Sequence, residues 1–330
     1  MISPPFAAGL TTGVGSLPHT DAGSAIAFVL AHDRGLPAAP TLPNRSPLEG
    51  MVAQAAWGVP GVTIGPGGSL TIDRSRMDPA APVADPELAG EPFLTLRAFF
   101  GAVADRPGPI KVQLTGPVTL GLVLHRAGAP LDLAMAVAGA AVRARCRSLL
   151  ARLDRIDQRT PLVVLDEPVL CTEVPLATDD VIDAISGALA AIEPHAVTGL
   201  HCCGPADWRA LLEAGPQVLS LPVDAGTTTA AGALCAFIEQ GGWVAWGTVP
   251  TDRPVGSDVG PLWRRLSAQW CDLVAAGCDP VQVRAQAIIT PACGLAGHGL
   301  SQAERVMELT SRLAARMDSQ ATGVRLSVGA

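Results

Sequence analysis

The sequence is short of positive charge. Its 23 lysines and arginines are outnumbered by 30 aspartates and glutamates, for a formal net charge of -7. No basic stripe is available to neutralise phosphates, which argues against a nucleic-acid partner. Long apolar runs are also missing: no uninterrupted stretch of about 18 apolar residues occurs, so no membrane span is expected. The opening MISPPFAAGLTTG has no basic residue ahead of an apolar stretch, so no secretory leader is expected. Cysteine, at 8 in 330 residues, is too sparse for a disulfide scaffold. Cys146, Cys235, Cys271 and Cys278 fall in apolar or amphipathic helical surroundings and read as free thiols. Free thiols in turn point to a reducing, cytoplasmic location.

What is present is the material of a packed α/β protein. Hydrophobic residues make up 48% and charged residues 16%, enough to bury a sizeable core. Short β-like runs alternate with amphipathic stretches. Candidate strands are 11–16, 36–42, 110–116, 162–168, 197–203, 218–223, 243–249 and 283–289. Helical spacing covers 20–33, 86–106, 131–157, 178–193, 206–214, 227–240, 258–277 and 301–317, with Thr20-Asp21 and Ser301 as N-caps. The alternation, with no linker-like shift in composition, predicts one α/β domain over residues 1–330, a (β/α)8 TIM barrel. A doubly wound open sheet is the alternative. VTIGPGGSLTID (62–73) reads as a β-hairpin inserted after the second strand, across one mouth of the barrel.

A barrel of this kind carries its chemistry at the C-terminal ends of its strands. Ser16, Thr115, Asp166, Glu167, His201, Cys203, Asp224 and Cys293 fall at or just past such ends and are expected around one mouth. In LHCCG (200–204), strand alternation turns His201 and Cys203 one way and Cys202 the other; a one-residue slip would exchange the two cysteines. An imidazole beside a thiolate suits tetrahedral zinc, and Cys293, in TPACGLAG, could close the site from the last strand. Two thiolates and a neutral histidine offset the +2 charge and leave one position open, as in catalytic zinc sites. The alternative is a buried histidine bonded to a backbone carbonyl beside two packing cysteines. The acids of DEP (166–168) either cap a loop or pair with an arginine, or one of them fixes a substrate ammonium. His19, Arg45 and His298 are further candidates for the mouth, each with a surface alternative. Trp243, Trp246 and Trp270 read as packing.

Five motifs, TTGVGSLPHT (11–20), KVQLTGPVTL (111–120), LDEPVL (165–170), LHCCG and PACGL (291–295), stand in an order that resembles the C-terminal half of cobalamin-independent methionine synthase, in a single-barrel, core-type form. They also resemble the wider superfamily that includes uroporphyrinogen decarboxylase and the zinc-dependent corrinoid:thiol methyltransferases. The likeness spans almost the whole chain, and the family's N-terminal half has no counterpart. It implies a methyltransferase that binds a small thiol, homocysteine, on zinc and methylates it to methionine. On this resemblance His201, Cys203 and Cys293 are zinc ligands, Gly15 and Ser16 hold the homocysteine carboxylate, and Asp166 holds its amino group.

The departures from the family fall mainly on the methyl-donor side. Pro222 stands where methionine synthases place a glutamate ligand, so Asp224, water or the substrate would fill the fourth position. No acid stands at Asn44-Arg45, where a second carboxylate is expected near the amino group. An aliphatic near Val123 replaces a folate-contacting tryptophan. Thr172 or Glu173 only approximates an acid expected after DEP, and WGTVPTDRP (246–254) lacks an expected histidine. These losses favour a methylcorrinoid, presented by a partner protein, over polyglutamyl folate as donor. The rival functions are a decarboxylase-type member of the superfamily, which should want arginines at the mouth, and a non-catalytic metabolite-binding barrel.

Overall fold

The computed structural model describes residues 6–33, 35–156, 160–193 and 195–328. Residues 1–5 of the opening segment, and Asp157 at the end of one expected helix, lie outside the described residues. In chain order the elements are α1 (Ala22–His32), α2 (Met51–Ala56), β1 (Val62–Ile64), β2 (Leu70–Ile72), α3 (Leu94–Val103), β3 (Lys111–Thr115), α4 (Pro117–Arg126), α5 (Leu131–Asp154), β4 (Leu162–Asp166), α6 (Thr178–Leu189), β5 (Val197–His201), α7 (Trp208–Glu213), β6 (Val218–Pro222), α8 (Ala231–Glu239), β7 (Trp243–Val249), α9 (Gly260–Ala275), α10 (Pro280–Ala285), β8 (Ala287–Pro291) and α11 (Leu300–Val328). None of the described helices is long and apolar enough to cross a membrane.

Strands β3 to β8 form one parallel sheet in sequence order, each joined to the next through one or more helices. Strands buried on both faces read as near-continuous apolar runs, as 162–165 and 243–246 do. The pleat divides those runs between two clusters. Val163, Leu165, Leu200, Leu219, Val244 and Ile289 pack outward against the helices. Leu162, Val164, Val197, Val218, Ala245 and Ile288 meet in a second, smaller cluster with Phe6 and Leu36. Residues of five successive strands can share so small a cluster only if the sheet curls around it. The same period of two carries Asp166 and His201 onto this inner face, one layer above the apolar plug.

The first two expected strands differ from the prediction. Segments 10–17 and 35–41 make isolated parallel bridges, not ladders. At one sheet edge Ile289 N donates to Leu10 O at 2.9 Å, and at the other Ala39 N donates to Lys111 O at 2.8 Å. Between the two segments Leu17 N donates to Thr41 O at 3.0 Å. Two causes thin these ladders. Pro37 and Pro40 have no N–H to donate. The consecutive carbonyls of Gly13 and Val14 both turn inward to accept from Lys111 Nζ, at 2.8 and 2.7 Å.

Other differences are local. The eighth strand begins at Ala287, not 283, because Asp279 caps Val281 N at 2.8 Å and Pro280 starts the short helix α10. Asp21 caps α1 as expected, through Ser24 N at 2.7 Å, whereas Ser301 lies inside α11, which starts at Leu300. The hairpin forms where expected, with Val62 opposite Ile72. Helices α2, α4 and α10 have no counterpart among the expected ones. Cys235 and Cys278 are not the free thiols expected: they form a disulfide between α8 and the turn before α10, with Cα atoms 5.0 Å apart. Cys146 and Cys271 remain free.

Candidate metal centre and active-site mouth

Strand β5 delivers His201 and the residues after it to the C-terminal rim. Ligand atoms of His201, Cys203 and Cys293 all lie within 4.8 Å of one another. His201 Nδ1 and Ser220 Oγ of β6 are 2.9 Å apart, which fixes the ring. Its Nε2 is buried and has no hydrogen-bond partner. A buried, unpartnered imidazole nitrogen between two thiols is costly in a bare core and natural in a site for a soft cation. An imidazole oriented through its other nitrogen is the usual arrangement of a metal-binding histidine. The residues therefore fit zinc. Cys203 is pushed up to about 11, first by its hydrogen bond with the Cys171 thiol and also by burial. Cys293 is raised too, first by Cys203.

The strand phase inferred from alternation is the one observed at this point. Cys203 joins the cluster while Cys202 turns into the core, fully buried. Cys171, on the turn after β4, is a neighbour the sequence reading missed: its Sγ is 3.3 Å from Cys202 Sγ and 3.9 Å from Cys203 Sγ. The only hint in the sequence is its place four residues after Glu167 in DEPVLC, in the group of strand-end motifs.

Two cavities meet at the cluster, sharing Cys203, Cys293 and Gly294 as walls. The narrower, about 210 Å3, reaches down past His201 to Ser16, Asp166, Thr115 and Glu49. The wider, about 630 Å3, opens between Pro222, Thr248, Arg253, Arg265 and His298. Asp166 Oδ1 is buried at the narrow cavity without a partner. Burial pushes the Asp166 carboxyl up to about 7 against the pull of Lys111.

Several expected residues do something else. Glu167 turns away from the mouth, fully buried, and accepts from Val118 N at 2.9 Å, Thr119 N at 2.7 Å and Thr119 Oγ1 at 2.6 Å at the start of α4. A carboxylate there answers the free N–H groups of the first helical turn. Gly15 lies behind the narrow cavity at φ +141, where a Cβ would run into the Gln113 carboxamide. Arg45 pairs with Glu49 at 2.8 Å and Glu91 at 2.9 Å. Asp224 lines the wide cavity but is paired with Arg265. His19 packs on Phe28, with ring centroids 5.0 Å apart. His298 lines the wide cavity. An acid does stand at the narrow cavity near Arg45, namely Glu49, but its oxygens are taken by Arg45, Leu42 N and Thr95 N.

No protein-family model matches the sequence, and no curated protein does. Solved structures do. A methyltransferase from Methanosarcina mazei aligns at TM-score 0.61 and 17% identity, over 97% of this chain and 95% of its own. A candidate vitamin-B12-independent methionine synthase from Listeria monocytogenes aligns at TM-score 0.59 and 15% identity, over 90% of this chain and 86% of its own. At these identities the likeness is one of fold.

Proposed function

We propose that the protein is a zinc-dependent methyltransferase that moves a methyl group onto a small thiol, homocysteine, to give methionine. Residues 1–330 act in this proposal as one catalytic domain, a (β/α)8 barrel of the methionine synthase C-terminal type. The edge hydrogen bonds from Ile289 to Leu10 and from Ala39 to Lys111 support closure of the ring. The observation that carries the reading is the convergence of His201, Cys203 and Cys293, with His201 Nε2 buried and unpartnered, where two cavities join. The fold shared with the two neighbours supports it.

Zinc bound by His201, Cys203 and Cys293 would supply Lewis acidity, keeping the acceptor thiol deprotonated at neutral pH. The narrow cavity, about 210 Å3, suits an amino-acid thiol. Asp166 takes the ammonium group, because a carboxylate in a dry site attracts a cation strongly. Ser16 and the backbone around Gly15 take the carboxylate. The wide cavity receives the donor. Among the described residues its lining holds no phenylalanine, tyrosine or tryptophan to stack on a pterin, which supports a methylcorrinoid carried by a partner protein. Its two arginines are already paired, Arg253 with Asp252 and Arg265 with Asp224, which disfavours a decarboxylase that grips several carboxylates. Cys171, Cys203 and Cys293, free thiols close together at the rim, support a reducing, cytoplasmic setting, against which the one disulfide, Cys235–Cys278, counts.

The test is methionine formation by zinc-loaded protein from homocysteine, with methylcobalamin or methyltetrahydrofolate as donor. Turnover with methylcobalamin is expected. A zinc-loaded protein that binds no thiol would exclude the proposal.

A further inference from the structure

Beneath the narrow cavity lies a charged group that the metal cluster does not use. Lys111, the only lysine in the 330-residue sequence, is 5% exposed on β3. A buried ammonium is costly unless it is paired and hydrogen-bonded, so an ordinary core position would be apolar. This one is held by backbone carbonyls. Nζ donates to Gly13 O at 2.8 Å and to Val14 O at 2.7 Å, while Asp166 and Asp33 act on it through their charge alone, with no ion pair to either. Asp33 closes α1 and accepts from Ala38 N at 2.9 Å, inside the fold. Asp166 opens on the narrow cavity.

The two carbonyl bonds have a mechanical consequence. Consecutive carbonyls held by one ammonium cannot alternate as a β-ladder requires. The chain leaves extended geometry at Gly15, at φ +141, and comes out with Ser16 on the cavity wall. Two residues along β3, Gln113 Nε2 donates to Ala39 O at 2.6 Å and fills the space beside Gly15. Position 111 thus governs the backbone that leads to Ser16 at one end of the acceptor pocket, whose other end is Asp166.

We propose that Lys111 is the positioning residue of the acceptor pocket, giving it a preference for thiols that carry both an ammonium and a carboxylate. This rests on the acceptor reading above. An amino-acid thiol is recognised through Ser16 and the backbone segment that Lys111 holds, whereas a plain alkanethiol engages only the metal and apolar walls.

The experiment is titration calorimetry of zinc-loaded protein with homocysteine and with 1-propanethiol, on the parent and on Lys111→Met. The variant is expected to keep its zinc and its affinity for propanethiol while losing about 100-fold for homocysteine, because the two hydrogen bonds from a charged donor that hold the segment leading to Ser16 are lost. A merely structural lysine would weaken both ligands together, and a homocysteine preference that survives in folded Lys111→Met overturns the proposal. If that variant fails to fold, Lys111→Met with Asp33→Asn, which removes the acid left unpaired, carries the same comparison. A parent protein that holds zinc yet shows no preference for homocysteine overturns the acceptor reading itself.

Discussion

The two adjacent acids of DEP should respond to substitution in opposite ways. Glu167 is fully buried and accepts three hydrogen bonds, from Val118 N, Thr119 N and Thr119 Oγ1. A bond to a charged group contributes about 1.5–3 kcal/mol, and a buried donor left without a partner costs about 1–3 kcal/mol. Glu167→Ala strands two backbone donors and a hydroxyl at the start of α4, and some relaxation is available, so a loss of about 4 kcal/mol is expected. In a chain of this size that lowers Tm by about 8 °C. Asp166 has an unpartnered buried oxygen, and Lys111 keeps Asp33 as counter-ion without it. Asp166→Asn should therefore cost less than about 1 kcal/mol while homocysteine binding is lost. Urea unfolding at about pH 8, above the value of about 7 to which burial raises both carboxyls, keeps the parent groups ionised. Equal destabilisation by the two substitutions would refute this division of roles.

Three further outcomes follow from the same contacts. Burial holds Asp33, Asp166 and Glu167 up to about 7, so the folded chain keeps protons that the unfolded chain has released by about pH 5. That stabilisation is present below the unfolded values and is lost as pH rises through about 7, so the urea midpoint of metal-free protein should fall between pH 5 and pH 7.5; a rise would contradict the burial of these acids. Replacing Cys235 and Cys278 together by alanine opens a link across 43 residues and should cost about 4 kcal/mol by loop entropy, with zinc content unchanged. Gly15→Ala places a Cβ at φ +141 against Gln113 and should lower both Tm and homocysteine affinity; an unchanged affinity would detach this segment from the acceptor.

Much of this architecture is legible in the sequence wherever one local rule acts alone. Apolar runs at 162–165 and 243–246 become strands because burial on both faces needs no long-range information. Alternation favours Cys203 over Cys202, a choice that a one-residue slip would have reversed and that the structure bears out in geometry. The failures occur where a distant group overrides the local pattern. Lys111 reaches about a hundred positions back along the chain to break the ladder at Gly13 and Val14. Glu167 reads as a mouth residue until α4, absent from the expected helices, supplies the N–H groups it caps. The Cys235–Cys278 bridge depends on α8 lying beside the turn before α10, which no spacing in the sequence reveals. Cys171 enters the thiol cluster only because the turn after β4 folds toward the end of β5.

The central claim is tested most directly by the zinc content of the protein purified under reducing conditions, with X-ray absorption to count sulfur ligands. The comparison set is Cys203→Ser, Cys293→Ser and Cys202→Ser. About one zinc per chain, lost in the first two variants and retained in Cys202→Ser, is the result expected from the cluster of His201, Cys203 and Cys293. No zinc in the parent after reconstitution, or full zinc in Cys203→Ser, would contradict the account.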